Sequence, residues 1–284
     1  MKKEKILFLK SKANQIRKLV IQMLAKAGSG HPGGSLSSAE IIACLFFDIM
    51  RHDPKNPEWS DRDRFHLSKG HCCPALYVTL AMSGYFSQEE LWNLRALGSI
   101  LQGHPDRRTP GVTVASGSLG QGLSVALGMA LAGKIDEKDY RVYCLMGDGE
   151  IQEGNIWEAA MAAAHFKLDN LCGIVDYNHF QIDGRTEEIM NLEPLVNKWE
   201  SFGWHAVQCD GHNVEELLEA FRKAKTMRLR PTVIIAHTVK GKGVSFMEHV
   251  VDFHGRAPTE KEKEIALREL EEIEKAEDSR EMTE

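Results

Sequence analysis

The chain lacks the features that would send it to a membrane or across one. Its start, MKKEKILFLK, carries only four apolar residues before charge returns, which is neither a secretory core nor a spanning segment. The expected location is therefore the cytoplasm, with no membrane partner. Cysteine pairs at C-x-x-C spacing are also missing. The six cysteines, Cys44, Cys72, Cys73, Cys144, Cys172 and Cys209, are dispersed and read as reduced, buried small hydrophobes rather than as a zinc or redox site. Charge of one sign is scarce outside the end of the chain. Lys and Arg number 35 against 41 Asp and Glu, a net charge of −6, and the segment 260–284 alone holds eleven acidic and five basic residues. The balanced remainder has no field for nucleic acid or anionic lipid. There is no repeat, no low-complexity tract and no linker rich in Gly, Ser and Pro, and neither G-x-x-x-x-G-K-[ST] nor G-x-S-x-G occurs.

What is present fits a large single core: 284 residues, 43% of them hydrophobic. The spacing of Ile16, Leu19, Val20, Met23, Leu24 and Ala27 predicts an amphipathic helix over about 11–27 that stops at Gly28. A glycine-rich loop follows, then a helix over 41–50 with Ser37 or Ser38 near its N-cap, then a polar loop over 51–64. RFHLSKGH reads as a short strand entering a helix near 74–82, and LGQGLSVALGMALAGKI as a small-residue helix. Beyond it, strand-like runs at 141–146, 171–176, 204–209 and 232–237 alternate with helical stretches at 153–166, 194–201 and 213–226. That alternation predicts an α/β fold, a mostly parallel sheet flanked by helices, over residues 1–258. Residues 259–284 read as a charged C-terminal helix or tail, with Ile265, Leu267, Leu270 and Ile273 as a thin apolar stripe.

The segment GDGEIQEGNIWEAAMAAAHFKLDNLCGIVDYNHFQIDG, residues 147–184, carries the chemistry. Asp148 follows one apolar strand and Asn178 the next, with a helix between them. In a parallel sheet those strand ends are neighbours at the edge where α/β ligands bind. A carboxylate, an amide oxygen and a nearby loop carbonyl suit Mg²⁺ or Ca²⁺ with room for phosphate oxygens, so a metal-bound diphosphate is the expected ligand. Gly147 and Gly149 let backbone approach it. The run Gly28-Ser29-Gly30-His31-Pro32-Gly33 matches the dinucleotide fingerprint formally, but it follows a helix instead of a strand, which argues against nicotinamide binding.

With these residues in view, the chain resembles the transketolase family. GDGEIQEG, DYNHFQIDG, SGHPGG, SKGH, QGHP, GSLGQG and the closing KGKG…FHG all look like that family's motifs, spread from about residue 28 to 258. The resemblance implies the thiamine-diphosphate-binding (PP-type) domain of a transferase that moves a two-carbon ketol unit from a ketose phosphate to an aldose phosphate, as in the pentose phosphate pathway. It implies that Asp148 and Asn178 hold the metal, with the Phe180 carbonyl, and that Gly149 meets the diphosphate. Gly117, Ser118 and Leu119 would line the thiamine site, and Glu153 would lie near the aminopyrimidine side or a dimer contact. His31, His71, His104 and His254 would line the channel above the reactive carbon, where imidazole can pass protons near neutral pH, with Lys69 and Lys240 as cationic partners. His71, His254, Lys69 and Lys240 thereby also count as cofactor-site residues. Gly34 departs from the pattern, standing where many transketolases have a hydroxyl, so that Ser35 or a water would take its place.

In this family the glutamate that activates the cofactor lies on a later, pyrimidine-binding domain. The expectation is therefore an N-terminal subunit that needs a separate C-terminal transketolase subunit, in an α₂β₂ assembly. Two alternatives stand beside it: a component of another thiamine-diphosphate enzyme, such as a deoxyxylulose-phosphate synthase or the α chain of a 2-oxo acid dehydrogenase, and a non-catalytic protein that binds the cofactor.

Overall fold

A computed structural model describes residues 3–281. In chain order its elements are α1 (Lys3–Ala27), α2 (Pro32–Ser37), α3 (Ala39–Cys44), β1 (Arg64–Leu67), α4 (Cys73–Ser83), α5 (Gly122–Ile135), β2 (Val142–Gly147), α6 (Gly154–His165) and β3 (Leu171–Tyr177). There follow β4 (Phe180–Gln181), β5 (Gly184–Arg185), α7 (Thr186–Ile189), α8 (Leu195–Ser201), β6 (His205–Asp210), α9 (Val214–Thr226), β7 (Thr232–His237) and α10 (Glu260–Glu281). The main sheet has the order β1-β2-β3-β7-β6, with every neighbouring pair parallel, and β4 and β5 form a two-stranded antiparallel ribbon.

The strand alternation divides the core between the two faces of this sheet. Tyr143, Leu145, Cys172, Ile174 and Ile234 point into one apolar layer with α1, α3, α4 and α9. Val142, Cys144, Met146, Val175, Val233 and Ile235 point into the other, with α5, α6 and α8. Trp204 closes the second layer, its indole N–H donating to the Ala160 carbonyl at 2.9 Å. All six cysteines are buried free thiols. No helix among the described residues is long and apolar enough to cross a membrane.

Three expectations are revised. First, α1 begins near Lys3 rather than residue 11, because Ile6 and Leu9 extend its buried stripe by two turns. Second, the glycine-rich segment is a loop only as far as His31. Pro32 then opens α2, its fixed φ suiting the first helical position and its missing N–H costing nothing there. Third, the predicted helix over 41–50 is α3 followed by a wider turn over Leu45–Ile49. Ser38 does precede α3, but its hydroxyl donates back to the Gly34 carbonyl at 2.7 Å instead of capping.

The charged end of the chain is a helix docked on α1; residues 282–284 lie outside the described residues. Thr259 and Glu262 start α10 with a capping box: Thr259 N–H donates to Glu262 Oε2 at 2.8 Å, and Glu262 N–H to Thr259 Oγ1 at 3.3 Å. The predicted stripe holds at Leu270, and at Leu267 in part, but not at its two isoleucines. Ala266 and Leu270 are fully buried, whereas Ile265 and Ile273 are exposed. Asn14 on α1 donates to the Leu270 carbonyl at 2.9 Å, and Lys18 pairs with Glu274.

Leu270→Ala should therefore cost about 2–5 kcal/mol of unfolding free energy, while Ile273→Ala, at a site 40% exposed, should change it by less than about 0.5 kcal/mol. Urea unfolding of the two variants measures this, and equal effects would show that α10 does not rely on its buried stripe.

Candidate active site

The parallel register places the ends of β2 and β3 side by side, with Gly147 opposite Asp176. Asp148 and Asn178 therefore emerge together, and a cavity of about 380 Å³ opens above them. Its walls include His31, Lys69, His71, His104, Gly117, Leu119, Asp148, Gly149, Glu153, Asn178, Phe180, Lys240 and His254. Residues from widely separated stretches of sequence thus meet at one place. Ser118 is the exception. It is exposed and belongs to an adjoining hollow that also borders on His66, His104 and Gln121.

Asp148 is almost fully buried. Its carboxylate accepts the N–H groups of Gly149 at 2.8 Å and His179 at 2.5 Å. Burial, with the charge of Asp176 added, pushes its pKa up to about 7 despite those bonds. Asn178 Oδ1 accepts from Phe180 N–H at 3.1 Å, an Asx turn that leaves one lone pair of that oxygen free. The Phe180 carbonyl receives the Lys240 ammonium at 3.4 Å. Among the described residues no three His, Cys, Asp or Glu side chains gather as a metal site. The oxygens available here are instead one carboxylate, one amide and one carbonyl. That set fits a hard dication, and a positive charge among them would remove the penalty that burial and Asp176 place on the Asp148 carboxylate.

Gly149 is required by close packing, because a Cβ there would come within 2.9 Å of the Gln181 Cβ. Gly34 is explained in the same way. A Cβ would lie 2.5 Å from Cys72 Sγ and 3.4 Å from Lys69 Nζ, so the thiol and ammonium fill the space that a side chain would take. Ser35 does not replace it. Its hydroxyl donates to the His31 carbonyl at 2.7 Å and is absent from the cavity wall.

His31, His71 and His254 form one cluster, with ring centroids 5.2–5.6 Å apart. Burial is the main cause of a low pKa at each: about 4 for His31, about 3 for His254 and well below the ordinary value for His71. All three are therefore neutral near pH 7. The Lys240 ammonium donates to His254 Nδ1 at 2.8 Å, so His254 carries its proton on Nε2. His31 Nδ1 is buried without a hydrogen-bond partner, an unused polar atom beside the cavity. His104 stands apart on the exposed rim, its pKa lowered by partial burial and by Arg95. Glu153 is exposed on the same rim, at the start of α6.

Lys69 lines the cavity, but its ammonium is already committed, donating to Asp176 and, at 2.9 Å, to the Gly34 carbonyl. Asp176 is the main residue that sequence reasoning missed. Besides Lys69 it accepts Ser37 at 2.6 Å, Thr238 and the Asn178 amide at 3.2 Å. Burial would raise its pKa, but Lys69 and the hydroxyl donors outweigh that and hold it down. Glu150 was missed as well. It accepts Ser68 and the N–H groups of Gly120 and Gly147, both at 3.0 Å, tying the ends of β1 and β2 to the loop before α5. A charged residue inside the apolar run LCGIVDY was the available signal for Asp176.

Comparison with known proteins agrees with this geometry. Residues 9–273 match the family described as "Transketolase, thiamine diphosphate binding domain". The chain is 48% identical to one of the subunits of the apulose-4-phosphate transketolase of Phocaeicola vulgatus, over 95% of this chain and 96% of that one. It is 49% identical to the 6-deoxy-6-sulfo-D-fructose transketolase subunit SqwG of a Clostridium species, over 93% and 96%. Human transketolase is 46% identical over 89% of this chain but only 40% of its own length. The crystal structure of Campylobacter jejuni transketolase superposes with a TM-score of 0.89 at 38% identity, covering 92% of this chain and 42% of that one. The chain thus spans nearly the whole of two relatives named as subunits and about two fifths of the longer transketolases. It belongs to the transketolase thiamine-diphosphate-binding domain family.

Proposed function

We propose that this chain is the diphosphate-binding half of a two-chain transketolase, transferring a two-carbon ketol unit between sugar phosphates once joined by a C-terminal, pyrimidine-binding subunit. The observation that carries the reading is the convergence of Asp148, Asn178 and the Phe180 carbonyl with three neutral histidines around one cavity. The two-chain form is supported by the two relatives named as subunits, which the chain matches almost end to end. An α₂β₂ assembly in the cytoplasm is the arrangement proposed, with residues 1–258 as the binding domain and α10 as an appended brace.

In this reading Asp148, Asn178 and the Phe180 carbonyl hold Mg²⁺, or Ca²⁺, and Gly149 lets backbone meet the diphosphate. Gly117 and Leu119 border the thiamine, with Ser118 beside them in the adjoining hollow, and Glu153 faces the contact between chains. Thiamine diphosphate, when bound, supplies the electron sink that makes C–C cleavage possible. The protein's part is to orient and to move protons. His31, His71 and His254, kept neutral by burial, can each accept or donate a proton at a sugar hydroxyl without carrying a standing charge. His254 is directed by Lys240 so that its N–H faces away from that lysine. His104, on the rim, meets the more distant part of the substrate. Lys69, bonded to Asp176, acts on the cofactor side mainly by fixing the β1 end.

Asp148→Ala should abolish Mg²⁺-dependent binding of thiamine diphosphate in calorimetric titration, because the neighbouring Asp176 carboxylate is already committed to Lys69 and cannot replace it; unchanged binding would overturn the metal assignment. His104→Ala should leave cofactor affinity within about threefold while turnover of the reconstituted complex falls by about 10²-fold, the lower range for a positioned proton-transfer group. The function itself is tested by assaying ketol transfer with and without the partner chain. Transfer is expected only with it, and full activity of this chain alone would sink the two-chain reading.

A further inference from the structure

The loop that presents Lys240 to the cavity is held from outside by a set of buried and half-buried polar groups that line none of it. Gly241 N–H reaches the Gly33 carbonyl at 3.0 Å and His249 N–H the Lys240 carbonyl at 3.0 Å, both ordinary backbone bonds. Val239 N–H is different: its acceptor is a side chain, His212 Nε2, at 2.8 Å. His212 sits between β6 and α9, 27 residues earlier. Because Nε2 accepts, the ring proton is on Nδ1, which donates to Glu40 Oε2 at 3.0 Å. Glu40, on α3, is completed by Arg17 of α1 at 2.5 Å, an ion pair with both side chains nearly buried. Burial works to raise the Glu40 pKa, but Arg17 and His212 outweigh it and keep the carboxylate charged, so the tautomer of His212 is fixed.

We infer that His212 is a positioning residue for Lys240: the chain Arg17, Glu40, His212, Val239 N–H sets where the Lys240 ammonium lies between the Phe180 carbonyl and His254. The inference rests on the reading of the cavity as the diphosphate site. A shift of this backbone carries the Lys240 Cα with it, and a side chain 1% exposed and held by two specific acceptors has little room to compensate by rotation. If the half-buried Val239 N–H lost its acceptor, the loop would turn to give it another or to expose it to water, because a donor left unmet is costly.

The two amide substitutions of His212 separate this role from simple packing. Gln places its amide oxygen near the position of Nε2 and can still accept from Val239 N–H. Asn places its amide nitrogen near Nδ1 and can serve Glu40 but not Val239. Wild type, His212→Gln and His212→Asn are titrated calorimetrically with thiamine diphosphate and Mg²⁺ in the presence of the partner chain, and amide hydrogen exchange at Val239 is followed in each without cofactor. We expect Gln to stay within about threefold of wild type and Asn to bind about tenfold more weakly, the factor attached to one ordinary hydrogen bond. Exchange at Val239 should rise in the Asn variant alone. In a Lys240→Gln background, His212→Asn should cost no further affinity, since the two act through one group.

Equal losses in the Asn and Gln variants, unchanged Val239 protection in Asn, or additive losses with Lys240→Gln would each overturn the inference. Absence of cofactor binding by wild type would instead overturn the function proposed above, and the exchange measurement would still decide whether His212 holds the loop.

Discussion

The structure depends most on one buried carboxylate. Asp176 lies at the end of the middle strand of the sheet, is fully inaccessible, and is surrounded by Lys69, Ser37, Thr238 and Asn178. A bare carboxylate in such a place would cost several kcal/mol, so these partners are obligatory. Each comes from a different segment: the β1 end, α2, the β7 end and the turn after β3. Satisfying one charge therefore ties together four segments around the cavity. Burial, and after it the same charge, keep the pKa of the neighbouring Asp148 high and make the position receptive to a cation.

Electrostatically the cavity is divided. Asp148 lies at its floor, Asp176 sits fully buried beneath it and is neutralised by Lys69, and Lys240 reaches in from the side. Its histidine wall carries no charge at neutral pH because burial forbids it. A phosphorylated ligand is thus drawn by a cation held on the floor and by the lysine, not by imidazolium, and the imidazoles remain free for proton exchange. Glu150 contributes rigidity: by taking N–H groups from two segments and the hydroxyl of Ser68, it holds the strand ends in fixed relation.

Much of this was legible in the residues. The runs at 141–146, 171–176 and 232–237 stood out as short and largely apolar, as central parallel strands are, and the strands fall within a residue of them. Asp148 and Asn178 were legible because each directly follows such a run. What escaped was whatever depends on distant partners. Asp176 meets Ser37 across 139 residues and Lys69 across 107, and Glu40 meets His212 across 172. No local spacing announces such pairs. Likewise, Ala266 is buried where Ile265 is not, since the angle at which two helices meet decides which neighbour faces inward.

The burial of all six cysteines has a consequence for how this protein meets an oxidising or alkylating world. Reaction needs a thiolate, and burial raises the pKa of Cys44, Cys72, Cys73, Cys144, Cys172 and Cys209 alike. Three of them belong to the sheet itself: Cys144 on β2, Cys172 on β3 and Cys209 on β6. The thiols of the native chain are therefore chemically silent. Whatever rate of modification is seen counts the moments at which the layers part, making the thiols built-in clocks for opening of the core.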